Sequence, residues 1–381
     1  MAARTIGSIR SSSVRSPTRR DGGPLTVLHL THQGDGAGST ISIAELARAQ
    51  REAGHRVLVG CRPGTILADL ARAADVEVVP LDFGRLGPLA RRIGGLVRER
   101  GIHVVNSHAS RDRAACRRAR LAGRLPAALV MTRRAMPLSL PPSVIVNGLA
   151  ADCIVAVSDA VRRALVRRGS LPWRVRVVPN GIDPARMERP VSAEALAEAR
   201  VRIGWSADRP TVGVVARRKD QAVLLRALAL VPRPVTVVLL GIGPDPELQA
   251  LAGAARPHHV AFVPFRRDVL PFYALFDAAV LPTSGEGLSQ ALLEAMVLGL
   301  PVVASRVTGN TEVLTDGVDG LLVRPHSPAA FARALATLLA DPPLAVALGA
   351  AARRTARERF SLERTRRLTD EAYHAALERT A

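Results

Sequence analysis

Short runs rich in apolar residues recur along the chain, separated by longer stretches in which apolar positions repeat with helical spacing. The first pattern predicts strands buried on both faces, the second amphipathic helices, and their alternation predicts βαβ units built around parallel sheets. In the first half the predicted strands are 25–30 (LTVLHL), 56–60 (RVLVG), 77–80 (EVVP), 102–106 (IHVVN), 128–131 (ALVM) and 153–157 (CIVAV). The rhythm returns at 211–215 (TVGVV), 235–240 (VTVVLL), 260–263 (VAFV), 278–281 (AAVL), 301–304 (PVVA) and 320–323 (GLLV). Between the two sets, LPWRVRVVPNGIDPARM at 171–187 contains prolines and an Asn180-Gly181 turn, and is expected to mark the boundary between two domains. Length agrees, since 381 residues exceed one typical core and suit two.

The unusual residues fall on one edge of this map. In open parallel sheets, ligands bind outside the carboxyl ends of the strands. After LTVLHL comes THQGDGAGS, containing Gly36; after IHVVN come Ser107 and His108; after TVGVV come Arg217, Arg218 and Lys219. After VTVVLL comes GIGPD, with Gly241 and Gly243, and after AAVL comes PTSGEG. Features from both halves therefore share a topological edge, and two Rossmann-like domains facing a common cleft account for them.

The segment TSGEGLSQALLEAMVLGLPVVAS, 283–305, has two carboxylates, Glu286 and Glu294, and no other charge. Residues 288–298 read as a helix apolar nearly all round, on which an unpaired Glu294 would be costly. Upstream, Ser-Gly-Glu-Gly lets backbone approach a ligand closely, and the helix start near Gly287, Leu288 and Ser289 offers free N–H groups to a phosphate. Eight helical residues rise about 12 Å, whereas two carboxylates acting on one glycosidic bond lie about 5–9.5 Å apart. The pair is thus expected to grip opposite ends of an elongated ligand. A nucleotide sugar fits, with sugar hydroxyls at Glu286, diphosphate at the helix start and ribose hydroxyls at Glu294, whose charge they would satisfy from outside the protein. No Asp-x-Asp metal pair is convincingly placed, and Asp245-Pro246-Glu247 reads as a solvated helix start. Fixed charge from Arg217 and Lys219 can neutralise a departing diphosphate instead, so neither metal nor cofactor is expected.

Composition sharpens two points. Of 53 basic residues only Lys219 is a lysine, which suggests a site where a compact ammonium does what a guanidinium cannot. The formal net charge of +20 attracts polyanions in general, but with 3% aromatic residues and no nucleic-acid module, nucleic acid is not the expected partner. Residues 1–23, rich in arginine and serine, read as a disordered basic tail. Peripheral contact with an anionic membrane surface is a further expectation from the charge. Three separated cysteines argue against a disulfide framework and for a cytoplasmic setting, and no uncharged apolar run reaches the roughly 18 residues that span a bilayer.

EGLSQALLE, VARRKDQAVLLRAL, VVLLGIGPDPELQALA and ADCIVAVSDAVRRAL followed by VRVVPNGID occur in order, and together they resemble the family 4 retaining glycosyltransferases of the GT-B fold over about residues 24–360. The resemblance implies an acceptor-binding domain at 24–170, a nucleotide-sugar-binding domain at 171–360 and a last helix at 361–381 crossing back onto the first domain. It implies hexose transfer from a UDP- or GDP-sugar to a glycan, lipid-linked or small acceptor, with retention at the anomeric carbon. Glu286 would contact the donor sugar, His108 would lie near it, and either Arg217 or Arg218 would hold phosphate with Lys219. The sequence departs from the family at Asp35-Gly36-Ala37-Gly38, where Gly-Gly-Ala-Glu is usual, at Gly309-Asn310, and in a shortened Arg217–Lys219 segment. The competing readings are a nucleotide-sugar epimerase of the same fold and a polyanion-binding protein.

Overall fold

The computed structural model describes residues 23–137 and 141–380. The expected tail at 1–23 therefore lies, Gly23 apart, outside the described residues. Two parallel sheets organise the chain. The first is built from β1 (Thr26–Leu30), β2 (Arg56–Cys61), β3 (Glu77–Pro80), β4 (Val104–Ser107), β5 (Ala128–Arg133), β6 (Cys153–Ala156) and β7 (Val175–Val177), in the order β3-β2-β1-β4-β5-β6-β7. The second is built from β8 (Thr211–Val215), β9 (Thr236–Leu240), β10 (His259–Val263), β11 (Ala278–Leu281), β12 (Val302–Ser305) and β13 (Leu321–Val323), in the order β10-β9-β8-β11-β12-β13. Both are α/β Rossmann-like arrangements. Central strands such as β1, β4 and β9 are buried along almost their whole length, so they read as apolar runs without alternation.

The segment expected to be linker contributes an edge strand. Val175–Val177 pairs with β6 in parallel, so the first sheet reaches past residue 170. Its sequence, Val-Arg-Val, is short and charged in the middle because only one end of it is buried. The final helix, Leu362–Thr380, lies against the first sheet rather than the second. It buries Ala372, Tyr373 and Ala376 among Leu25, Val27, Val104, Ala128 and Val130. The Tyr373 hydroxyl accepts from Asn106 Nδ2 at 2.8 Å, which satisfies two polar groups that burial would otherwise leave costly.

Each sheet has one place where strand order reverses, between β1 and β4 in the first and between β8 and β11 in the second. Loops leaving the carboxyl ends at such a point diverge and open a crevice. Among the described residues, no single helix is long and apolar enough to cross a membrane.

Candidate active site

The loops after β8 and β11 bring Lys219 and Glu286 together. Lys219 Nζ lies 2.9 Å from Glu286 Oε1, with the carboxylate largely buried and the ammonium partly open. The residue expected at the diphosphate and the one expected at the sugar are thus in direct contact. The neighbouring arginines separate clearly. Arg218 is bound to Asp245 at 2.9 Å and to Glu247, at the start of helix Pro246–Ala254. Arg217 is exposed, and its guanidinium has no ion-pair partner among the described residues. Arg218, included among the expected phosphate ligands, pairs with carboxylates, whereas Arg217 pairs with none among the described residues.

Helix Gln290–Val297 begins later than the apolar pattern suggests, because Ser289 ends the loop and caps it, its hydroxyl accepting from Leu292 N at 3.4 Å. The loop before it is pressed against the first domain. At Gly287 a Cβ would come within 2.2 Å of the Arg134 carbonyl oxygen, so only glycine fits there. Asn180 Nδ2 donates to the Leu288 carbonyl at 3.2 Å, and Asn180 Oδ1 accepts from Arg134. Ser42 Oγ donates to Gln290 Oε1 at 3.1 Å across the same boundary. Gly36 sits against the ring of Phe265, which follows β10, so the departed glycine loop still faces the second domain. Gly241 has φ +100° and backs onto the Ala216 carbonyl, while Gly243 faces open space.

Glu294 requires a correction. Its charge was expected to be met by hydroxyls of a ligand, but the protein meets it: Arg186 Nη2 donates to Oε1 at 2.7 Å, and the Tyr273 hydroxyl lies 3.3 Å from Oε2. The same hydroxyl lies 3.1 Å from the Ala291 carbonyl, so its single proton is shared. Burial, with the carboxylate beside it, pushes the Tyr273 phenol well above its ordinary value and keeps it a donor. The physical reason is the one the apolar helix implied, that a carboxylate 6% exposed cannot stay unpaired. What the sequence did not reveal is which of many arginines supplies the charge. Arg186 comes from a four-residue helix, Pro184–Met187, just beyond the Asn-Gly-Ile-Asp turn.

At the first switch point His108 follows β4 and is 7% exposed. Its ring stacks on His29 of β1, with centroids 5.2 Å apart and planes at 17°. Its Nδ1 is buried with no hydrogen-bond partner among the described residues, whereas Nε2 lies 2.9 Å from His29 Nδ1. Burial, helped by the positive charges of Arg134 and Arg113, holds His108 well below its ordinary pKa and therefore neutral near pH 7. A groove of about 1010 Å³ lies elsewhere: Pro210, Asp277 and Pro301 line it at the amino ends of the second sheet's strands, away from these residues.

These loops define a GT-B architecture with polar and charged groups gathered where the carboxyl edges of its two sheets meet. Residues 36–186 match the family model described as Glycosyltransferase Family 4, and residues 209–341 match Glycosyl transferases group 1. The chain belongs to this glycosyltransferase family. It is 35% identical over 222 residues to the D-inositol 3-phosphate glycosyltransferase of Xylanimonas cellulosilytica, a match covering 55% of this chain and 53% of the relative. It is 34% identical over 220 residues to the GDP-mannose-dependent alpha-(1-6)-phosphatidylinositol monomannoside mannosyltransferase of Mycolicibacterium smegmatis, covering 53% and 57%. The chain thus spans little more than half the length of these curated relatives. In structure it is similar to Anabaena HepE in complex with UDP and glucose, with a TM-score of 0.80 at 23% identity, covering 91% of this chain and 98% of that one.

Proposed function

We propose that the protein transfers a hexose-type sugar from a UDP- or GDP-sugar to a hydroxyl of a glycan, a lipid-linked saccharide or a small acceptor, with retention and without a metal. The observation that carries this reading is the Lys219–Glu286 pair at the second switch point, beside the unpaired Arg217 and the capped helix start. An ammonium has three donors, so contact with Glu286 leaves two for phosphate oxygens, alongside the planar fork of Arg217. As the anomeric bond to the diphosphate breaks, negative charge grows on the leaving oxygen. Cations already fixed there stabilise it without reorganising.

Glu286 then receives the donor sugar's hydroxyls, and His108 faces the same sugar from the first domain. The acceptor attacks from the side of the leaving group, whose phosphate oxygen takes its proton. Glu294, committed to Arg186 and Tyr273, braces the helix that carries the Glu286 loop. Relatives named for an inositol phosphate and a phosphatidylinositol mannoside support a polyol or glycolipid acceptor, and the basic surface supports work at the cytoplasmic face of an anionic membrane.

Thermal stabilisation by a panel of nucleotide sugars, which raise apparent stability by mass action, identifies the donor. Lys219→Met is expected to lower kcat roughly 100-fold, as loss of a preorganised charge in an acyl- or group-transfer site does, and Glu286→Gln to lower kcat more than donor affinity. Turnover unchanged in both variants sinks the assignment. Donor incubated without acceptor should hydrolyse slowly; a change of sugar configuration instead would indicate an epimerase.

A further inference from the structure

A row of buried hydrogen bonds runs from His108 to the last helix of the chain. His108 Nε2 lies 2.9 Å from His29 Nδ1, and His29 Nε2 lies 2.8 Å from Gln50 Oε1. Gln50 Nε2 in turn donates to Asp370 Oδ1 at 2.8 Å. Gln50 is fully buried, His29 is 1% exposed, and Asp370 is 8% exposed.

The direction of every proton in this row follows from its far end. The Asp370 carboxylate only accepts, taking Arg366 Nη1 at 2.6 Å and His55 Nε2 at 3.3 Å on Oδ2. His55 Nε2 is itself a donor, because its Nδ1 accepts from Leu25 N. The Gln50 amide must therefore turn its NH2 to Asp370 and its oxygen to His29. An oxygen facing His29 requires the His29 proton on Nε2. Burial holds His29 down to about 4 and His108 well below its ordinary value, so each ring carries one proton near neutral pH. His29 Nδ1 is then a bare acceptor, and the hydrogen bond between the rings needs its proton on His108 Nε2. What remains on His108 is an unprotonated Nδ1, the buried atom that has no partner among the described residues.

We propose that Asp370, Gln50 and His29 are positioning residues that fix His108 in its Nε2–H tautomer, so that the Nδ1 lone pair accepts a hydrogen bond from a hydroxyl of a bound sugar or acceptor. This rests on the cleft being a sugar-transfer site. The tautomer itself does not, since it is set by the protein alone.

The geometry supplies a sharp test in Asp370→Asn. Arg366 and His55 keep the oxygen of the substituted side chain, so its NH2 faces Gln50, the Gln50 amide turns over, and each proton in the row moves to the opposite nitrogen. In full-length protein labelled with 15N-histidine, two-bond 1H–15N spectra, assigned with His108→Ala, are expected to show His108 protonated on Nε2 in wild type and on Nδ1 in Asp370→Asn. A wild-type His108 protonated on Nδ1 overturns the proposal whether or not the variant folds, as does an unchanged tautomer in a folded variant. Substrate is absent from this measurement, so failure of the relay is distinguishable from failure to find transfer with any nucleotide sugar. The kinetic arm uses UDP-glucose and monodeoxy and monofluoro analogues of it as competing ligands, because fluorine accepts weakly but cannot donate. At the contacted position, wild type should lose affinity for fluoro and deoxy analogues alike, roughly tenfold for one unmatched buried acceptor, and Asp370→Asn should recover the fluoro analogue. If only the acceptor KM responds to Asp370→Asn, the hydroxyl is the acceptor's. No change in either substrate's binding overturns the hydroxyl contact.

Discussion

At the residue scale the site shows how a charge is read from sequence and how its partner is not. Glu286 and Lys219 were legible because each is conspicuous: one carboxylate between two glycines, and a single lysine in a chain that otherwise uses arginine. Glu294 was legible as a residue needing partners, since its helix is buried nearly all round. Its actual partners were not, because Arg186 and Tyr273 are 108 and 21 positions away and nothing local to either marks it. The ion pair changes what a substitution should do. Glu294→Gln keeps the shape but leaves the Arg186 guanidinium facing a neutral amide. Removing one partner of a buried pair costs about 3–5 kcal/mol, and Arg186 is partly open to solvent, so the lower end applies. Thermal denaturation should show a drop in Tm of several degrees without ligand, together with weaker nucleotide binding. A variant with unchanged Tm and lost nucleotide affinity would instead return the carboxylate to a role at the ligand alone.

At the element scale most strands were visible as apolar runs, and the missed one shows the limit of that signal. β7 has three residues, one of them Arg176, and sits among prolines, so neither run length nor alternation distinguishes it from linker. Its pairing with β6 comes from tertiary contact alone. Helix Gln290–Val297 was found but placed two residues early, because Leu288 continues the apolar pattern although Ser289 is the cap. The loop ahead of this helix holds its position through close backbone contact. Gly287→Ala would drive a methyl group into the Arg134 carbonyl, with no flexible side chain available to yield. Transfer activity is expected to fall at least tenfold and Tm to drop by several degrees, because the adjacent Leu288 lies in the main core; circular dichroism melting with a donor-turnover assay checks both. Equal activity would mean that the two loops separate readily.

At the scale of the whole molecule, the polar row between the first sheet and the last helix makes stability depend on pH in a defined direction. His29 ionises near 6.5 in an unfolded chain but is held down to about 4 by burial in the fold, and His108 is depressed as well. Between those values the unfolded state binds more protons, so this contribution to stability is full above about pH 6.5 and is lost as pH falls toward about 4. Melting temperatures from pH 7 to pH 5 should decline in wild type and decline less steeply in a folded variant lacking His29, such as His29→Asn. The same helix reaches the first sheet only after the backbone has come back beside its earlier crossing: Ile182 N donates to the Phe360 carbonyl at 2.8 Å and Leu362 N to the Ile182 carbonyl at 3.0 Å. Both passages of the backbone between the two lobes are therefore riveted together beyond β7, at one border of the first sheet. At the other border Asp69, after β2, reaches Arg267, after β10, at 2.6 Å. If the lobes part with the two Ile182 hydrogen bonds intact, the opening starts at the opposite border, where the Asp69–Arg267 ion pair joins them.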